Sequence, residues 1–246
     1  MVQNISKMNK LFFYTLRIAD TSLILGQRMS EWCSKGPTLE EDIALSNIGL
    51  DLFGQANGFY EYASKLDGNK SADDLAFKRD EREFFNYQLV EQENGHFGTT
   101  MTRNFLHDAF NFLFYKNLSS SKDETLAALA TKSLKEVKYH LRHSSNWLIR
   151  LGDGTKESNA KIQEALESLW QYTGELFEMD ETDKKMLIEG IGVDNKKLKK
   201  EWDQIIISTL EKAKLKWEDL DLIVVPWNPA HNFKNASRRW INDMRW

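Results

Sequence analysis

"KEVKYHLRHSSNWLIRLGDG", residues 135–154, is where the reading of the fold is decided. From Leu126 onward, Ala130, Leu134, Val137, Leu141, Ser144, Leu148 and Leu151 recur at steps of three and four, the period of one helix face. Gly152-Asp153-Gly154 ends the run, and "SSSKDE" at residues 119–124 precedes it as a polar loop with helix-capping residues. Glu136, His140 and His143 lie on this same helix, so the segment also raises a question of metal chemistry.

The same period extends in both directions. Upstream, Leu11, Thr15, Ile18, Ser22, Leu25, Met29 and Trp32 form one stripe, which Gly36-Pro37 stops. "TLEE" at residues 38–41 has the form of a capping box, in which the Thr38 hydroxyl and the Glu41 carboxylate serve free backbone amides of a second helix. Leu45, Ile48, Leu52, Ala56, Phe59, Ala63 and Leu66 face inward along it, and Asp67-Gly68-Asn69 closes it. A short helical turn over 72–77 leads to a third long segment over about 80–117. Asn94-Gly95 predicts a kink there, because glycine costs about 1 kcal/mol in a helix interior. A fifth helix over about 156–178 and a sixth over about 195–215 follow, separated by a looser acidic stretch. The expected architecture is an all-α bundle of four long helices with additional C-terminal helices. Connections as short as Gly36-Pro37 make neighbours antiparallel. Residues 1–217 read as one domain, because each apolar stripe needs the others for burial, and 218–246 as a tail.

Composition agrees with that class. The 246 residues are 41% apolar, enough for a sizeable core in a soluble protein. Prolines occur only at 37, 226 and 229, and the proline-free span between them permits long helices. A net charge of -4, spread over both signs without a basic patch, gives nucleic acid no electrostatic footprint. The single cysteine, Cys33, excludes an internal disulfide and suits a reducing cytosol; the residue itself reads as a small buried side chain. Arg17 and Asp20 interrupt "LFFYTLRIADTSLIL" at residues 11–25, so no signal-peptide core is present. No apolar run approaches the roughly 20 residues that span a bilayer, and the expected location is cytoplasmic, without a membrane partner.

The helix of residues 135–154 invites comparison with a carboxylate-bridged di-iron site. Such a bundle takes one carboxylate from each of two helices and Glu-x-x-His from each of two others. Residues three apart lie one turn apart on one face, so both side chains reach one metal. Here neither frame yields the pair: three after Glu136 stands Tyr139, and three before His140 stands Val137. On the second helix Asp51-Leu52-Phe53-Gly54 ends in glycine. His107 and His143 have Asn104 and His140 where the acid is needed. Glu93-Asn94-Gly95-His96 matches in spacing, although Asn-Gly is poor helix. Glu136, His140 and His143, near one face, form a second candidate cluster; a solvated or hydrogen-bonded helix surface is the alternative.

The opening stretch resembles a known family when taken with four others: "YTLRIADTSLILGQRMSEWC" (14–33), "DIALSNIGLDLFGQA" (42–56), "LAFKRDEREFFNYQLVEQENGHF" (75–97) and "LWQYTGELF" (169–177). Over about 11–217 the chain is similar to the structural, C-type subunits of bacterial phenylacetyl-CoA epoxidases, multicomponent oxygenases of aerobic phenylacetate breakdown. The resemblance implies a ferritin-like four-helix bundle, non-catalytic, with no metal or cofactor of its own. It also implies a hetero-oligomer with a homologous catalytic subunit, which carries the di-iron centre and the acyl-CoA site. The two Glu-x-x-His pairs of catalytic relatives fall on Val137-x-x-His140 and Asp51-x-x-Gly54, which makes Asp51, Gly54, Val137 and His140 vestigial di-iron positions. The end departs from the family: relatives carry a glycine-rich segment and a His-Thr-Glu-His motif where this chain reads "EDLDLIVVPWNPAHNFKNASRRWINDMRW" (218–246). "LIVVPW" at 222–227, with Trp240 and Trp246, is expected to expose apolar surface and favour a partner.

A bundle without metal must still neutralise a carboxylate left in its interior, since a buried unpaired charge is costly. Arg28 or Lys138 is the expected partner of Asp51, with solvent exposure of Asp51 as the competing reading. Two other functions stand beside the structural one. One is a metal-binding di-iron oxygenase using Glu91 or Glu93, Asp51, Glu136 and His140; the other is a helical adaptor unconnected to any oxygenase.

Overall fold

The computed structural model describes residues 2–217 and residue 220, with side chains from Lys10 onward. The readings made for the tail, "LIVVPW" and its tryptophans included, lie outside the described residues. The described residues form α1 (Val2–Ser30), α2 (Leu39–Asp67), α3 (Ala72–Phe77), α4 (Gln88–Glu91), α5 (Phe97–Leu118), α6 (Glu124–Gly152), α7 (Lys156–Trp170), α8 (Glu181–Ile188) and α9 (Asn195–Lys212). There is no strand among them.

Helices α1, α2, α5 and α6 are the bundle, with α1 packed along α2 and α5 along α6. Their stripes are buried as the period requires, from Leu25 and Met29 on α1 to Val137 and Leu148 on α6. Where α1 meets α2, a side chain at Gly26 would stand 3.0 Å from the Phe53 ring, so glycine permits the close approach. α5 is buried along almost its whole length, including Arg103, Asn104, His107 and Asp108, because α7 and α9 cover the side that α6 leaves open. Trp202 of α9 pins that cover by donating its indole N–H to the Leu106 carbonyl at 3.0 Å.

Helix ends follow local chemistry. Thr38 accepts the Glu41 N–H at 3.4 Å, but the returning half of the expected capping box is not formed. Glu41 instead spends its carboxylate on His143 of α6, at 2.8 Å. α2 ends at Gly68 in the left-handed region, φ 74°, where its N–H reaches the Ser64 carbonyl at 2.9 Å. Asp123 opens α6 by accepting the Leu126 N–H at 2.9 Å.

Three expectations need correction. The third long helix of about 80–117 exists only from Phe97; before it lie a 3-10 turn (Glu81–Glu83) and the four-residue α4. Side chains from elsewhere take the backbone groups that a helix would have paired internally. Asp20 accepts the Phe85 N–H at 2.8 Å, and Glu175 the Leu89 N–H at 2.9 Å. Arg28 donates to the Glu91 carbonyl at 2.6 Å and Arg103 to the Gln92 carbonyl at 2.8 Å. The fifth helix stops at Trp170, and 171–178 turns through a 3-10 segment (Gly174–Phe177), while the looser acidic stretch contains α8. Cys33, expected inside, is exposed in the turn after α1.

The irregular crossover of residues 68–96 is held by a buried ion pair. Asp20 of α1, fully buried, accepts the Tyr60 hydroxyl of α2 at 2.6 Å and pairs with both terminal nitrogens of Arg79. Arg79 also donates to the Glu83 carbonyl at 2.7 Å. Removing one partner of a buried pair strands the other charge, so Arg79→Met is expected to cost about 3–5 kcal/mol in denaturant unfolding. Glu175 carries a second strain: burial, with Glu91 adding to it, pushes its carboxyl up to about 8. An acid raised in the fold and ordinary when unfolded, near 4.3, lowers stability as pH climbs from about 4.3 to 8. Glu175→Gln keeps an acceptor for Leu89; its melting temperature should exceed the wild type's by about 10 °C at pH 8 and match it near pH 4.

Candidate functional site

α2 and α6 run antiparallel and are joined by a ladder of side chains. Tyr62 donates to Asp123 Oδ2 at 2.6 Å, and Gln55 donates to Glu136 Oε2 at 2.9 Å. Asp51 Oδ2 lies 3.0 Å from His140 Nε2, and Glu41 Oε2 lies 2.8 Å from His143 Nε2. Glu136, His140 and His143 share one side of α6, yet each is committed to a different residue of α2. The candidate cluster of these three is therefore not assembled.

Of the four positions singled out by spacing and resemblance, only Asp51 and His140 meet at this seam; Val137 lies on the core stripe of α6 and Gly54 on the exposed face of α2. Val137 is fully buried, and Gly54 is open, with nothing within 4 Å of where a Cβ would stand. His140 is 2% exposed, whereas the Asp51 side chain is 39% exposed. The cation expected for Asp51 is corrected: Arg28 is held by Glu31 at 2.7 Å and by the Glu91 carbonyl. Lys138 is exposed, two residues and so about 200° around α6 from His140. An imidazole from the facing helix takes that place, and Asp51 is both half-exposed and bonded.

Behind His140 lies a buried polar layer. The Ser144 hydroxyl is 2.8 Å from Asp108 Oδ2 on α5 and 3.0 Å from the His140 carbonyl oxygen. Burial pushes the Asp108 carboxyl up to about 6, against the opposing pull of His140 and Ser144. Burial also drives His107 down to about 3, with Arg103 and His140 acting the same way, so its ring is neutral at pH 7. Neither ring nitrogen of His107 has a protein partner. Arg103, one turn earlier, is lowered to about 9 by burial, with Arg28 adding to the effect. Sequence reasoning placed Ser144 on the inward stripe but missed Asp108 and Arg103; the signal available was charged residues inside a run that is otherwise core.

This donor set does not fit a bridged pair of irons, which needs several anionic oxygens converging on one point. Among the described residues no three His, Cys, Asp or Glu side chains are placed to hold a metal ion. Glu136 is taken by Gln55, and Val137 and Gly54 offer no donor. Glu91 sits beside Asn86, 3.4 Å away, with its carboxyl pushed up to about 7 by burial. The Glu93-x-x-His96 match is not helical: Gly95 has φ 54°, and His96 caps α5 by accepting the Thr99 N–H at 3.2 Å. A small cavity lined by Tyr14, Arg17, Asp183 and Asn195, among others, shares no residue with the seam.

The architecture is thus an all-α, ferritin-like bundle with ionisable side chains in its interior. The chain belongs to the phenylacetic acid catabolic protein family, which it matches over residues 2–228. It is 48% identical over 208 residues, 85% of this chain and 84% of the other, to the C-type subunit of the 1,2-phenylacetyl-CoA epoxidase of Escherichia coli (strain K12). No described helix is long and apolar enough to cross a membrane. Asp51→Ala leaves the buried His140 Nε2 without its carboxylate and is expected to destabilise the fold by about 1–2 kcal/mol, Asp51→Asn by less, in urea titrations.

Proposed function

We propose that this chain is the non-catalytic, structural subunit of a cytoplasmic phenylacetyl-CoA epoxidase, supporting a homologous di-iron catalytic subunit through its helical domain, residues 1–217. One observation carries the reading: His140, the imidazole at the di-iron position, is bonded directly to Asp51, and the two remaining positions, Val137 and Gly54, have no donor atoms. The bond gives the buried His140 ring a carboxylate partner from within the chain and ties α6 to α2 without a metal. Asp51, Gly54, Val137 and His140 are on this reading what is left of a di-iron site. The 48% identity to the C-type chain of an epoxidase supports the assignment to the complex. The acyl-CoA and the oxygen chemistry then belong to the partner chain, and this chain contributes packing surface.

Metal analysis of the purified chain, followed by co-purification with the catalytic homologue, tests the proposal. The expected result is well below one iron per chain and a stable complex of the two subunits. Near-stoichiometric iron that is lost in His140→Ala would instead establish a di-iron oxygenase subunit. Failure to associate with the catalytic homologue would leave an unrelated helical adaptor.

A further inference from the structure

α2 has a second face. Leu39, Ile43, Asn47, Leu50, Gly54 and Asn57 step by threes and fours, fall within about 80° of arc at 100° per residue, and are all exposed. Leu39 is 72%, Ile43 52% and Leu50 66% exposed. For about 27 Å along the helix this face bears no charge. Exposed apolar side chains scattered singly are ordinary, but a charge-free row of this length has the composition of an interface centre.

Beside it, α6 presents the opposite character. Lys132, Lys135, Lys138, Arg142 and Arg150 are exposed within about 120° of arc, and none is paired with a carboxylate among the described residues. The even charge distribution read from the linear sequence is corrected here, because helical spacing gathers cations that are scattered along the chain. Tyr139 lies in the same row, 39% exposed, with the Arg142 guanidinium 5.5 Å from its ring centre. Counting 100° per residue from the side chains that join these antiparallel helices, the apolar row and the basic row turn to the same side of the pair. Together they make a surface of about 27 by 20 Å, on the order of 500 Å² in outline and approaching the roughly 800 Å² per partner of a stable complex.

We infer that this α2–α6 surface is where the chain docks the homologous catalytic subunit, through helices of that subunit bearing an apolar ridge with a carboxylate rim. The inference rests on the function proposed above. Charge selects the occupant. Five unneutralised cations favour an acidic rim, whereas a second copy of this chain, meeting the same patch through a two-fold axis, brings to them only the charge-free row or the basic row. The charge-free row on α2 suits a protein surface and offers nothing to phosphates. Gly54 leaves a notch near the C-terminal end of the row, which a partner side chain can enter.

The test measures affinity of the full-length chain for the catalytic homologue. Leu50→Asp and Gly54→Arg should each weaken binding by at least about 30-fold. Lys135→Glu with Lys138→Glu should weaken it about tenfold, a loss that shrinks in 0.5 M salt. Ile188→Asp, on α8 and equally exposed, should remain within about twofold of wild type, and melting curves should show every variant folded. Gly54→Arg keeps the test open if Leu50→Asp unfolds. Wild-type affinity in both Leu50→Asp and Gly54→Arg would overturn the docking surface while leaving the structural role intact. So would a dimer of this chain, or binding to anionic phospholipid vesicles, that Leu50→Asp abolishes. Failure of the wild-type chain itself to bind would instead remove the functional reading on which the surface rests.

Discussion

Asp20 is the residue around which the chain is tied together. A carboxylate with no exposure cannot stand alone in a helical core, since the desolvation of an unpaired charge outweighs any single contact. Its partners come from three parts of the chain: Tyr60 on α2, Arg79 just after α3, and the backbone amide of Phe85 in the crossover. Satisfying Asp20 therefore sets the α1–α2 hairpin in register and draws residues 79–85 down onto it. With that segment held, α4 sits where Glu175 can cap Leu89, and α5 begins only at Phe97.

The same logic governs the centre of the bundle. The interior positions of α5 and α6 carry Arg103, His107, Asp108, His140 and Ser144, with the half-exposed Asp51 of α2 at their edge. Asp51 pairs with the His140 imidazole and Asp108 with the Ser144 hydroxyl, while burial pulls Asp108 and His107 toward their neutral forms. Neutral groups are cheaper to bury than charged ones, which is how this layer persists inside a close-packed core. The seam that results leaves the outer surface of α2 and α6 free to differ from it. Inside, the two helices exchange hydrogen bonds; outside, the row over residues 39–57 of α2 is charge-free and that of α6 is basic.

Much of this was legible in the sequence. The stripes Leu11–Thr15–Ile18 and Leu45–Ile48–Leu52 announce helix faces because a period of 3.6 residues is a geometric consequence of the backbone. Val137 and Gly54 likewise show, without any coordinates, that Glu-x-x-His spacing is not met at His140 or at Asp51. The crossover was not legible. Apart from Asn94-Gly95, residues 80–96 have helix-compatible spacing, and the demands of Asp20, Glu175, Arg28 and Arg103 on their amides and carbonyls break the helix. The expected partners of Asp51 failed for a similar reason: Arg28 and Lys138 carry the right charge, but the turn of each helix points them elsewhere.

What the sequence by itself determined is the class: long amphipathic helices, antiparallel connections, an interior stripe, and the identity of side chains missing from a metal-ligand pattern. These depend on neighbours within a turn or two of helix, and local spacing encodes them. Only the tertiary structure decided who meets whom. That His140 faces Asp51, that Glu41 abandons its own helix cap for His143, and that the basic row of α6 turns to the same side as the apolar row of α2 all require knowing how α2 lies against α6. Pairings between residues so distant along the chain leave no periodic trace, because they are fixed by the packing of whole helices and by the cost of leaving any buried charge alone.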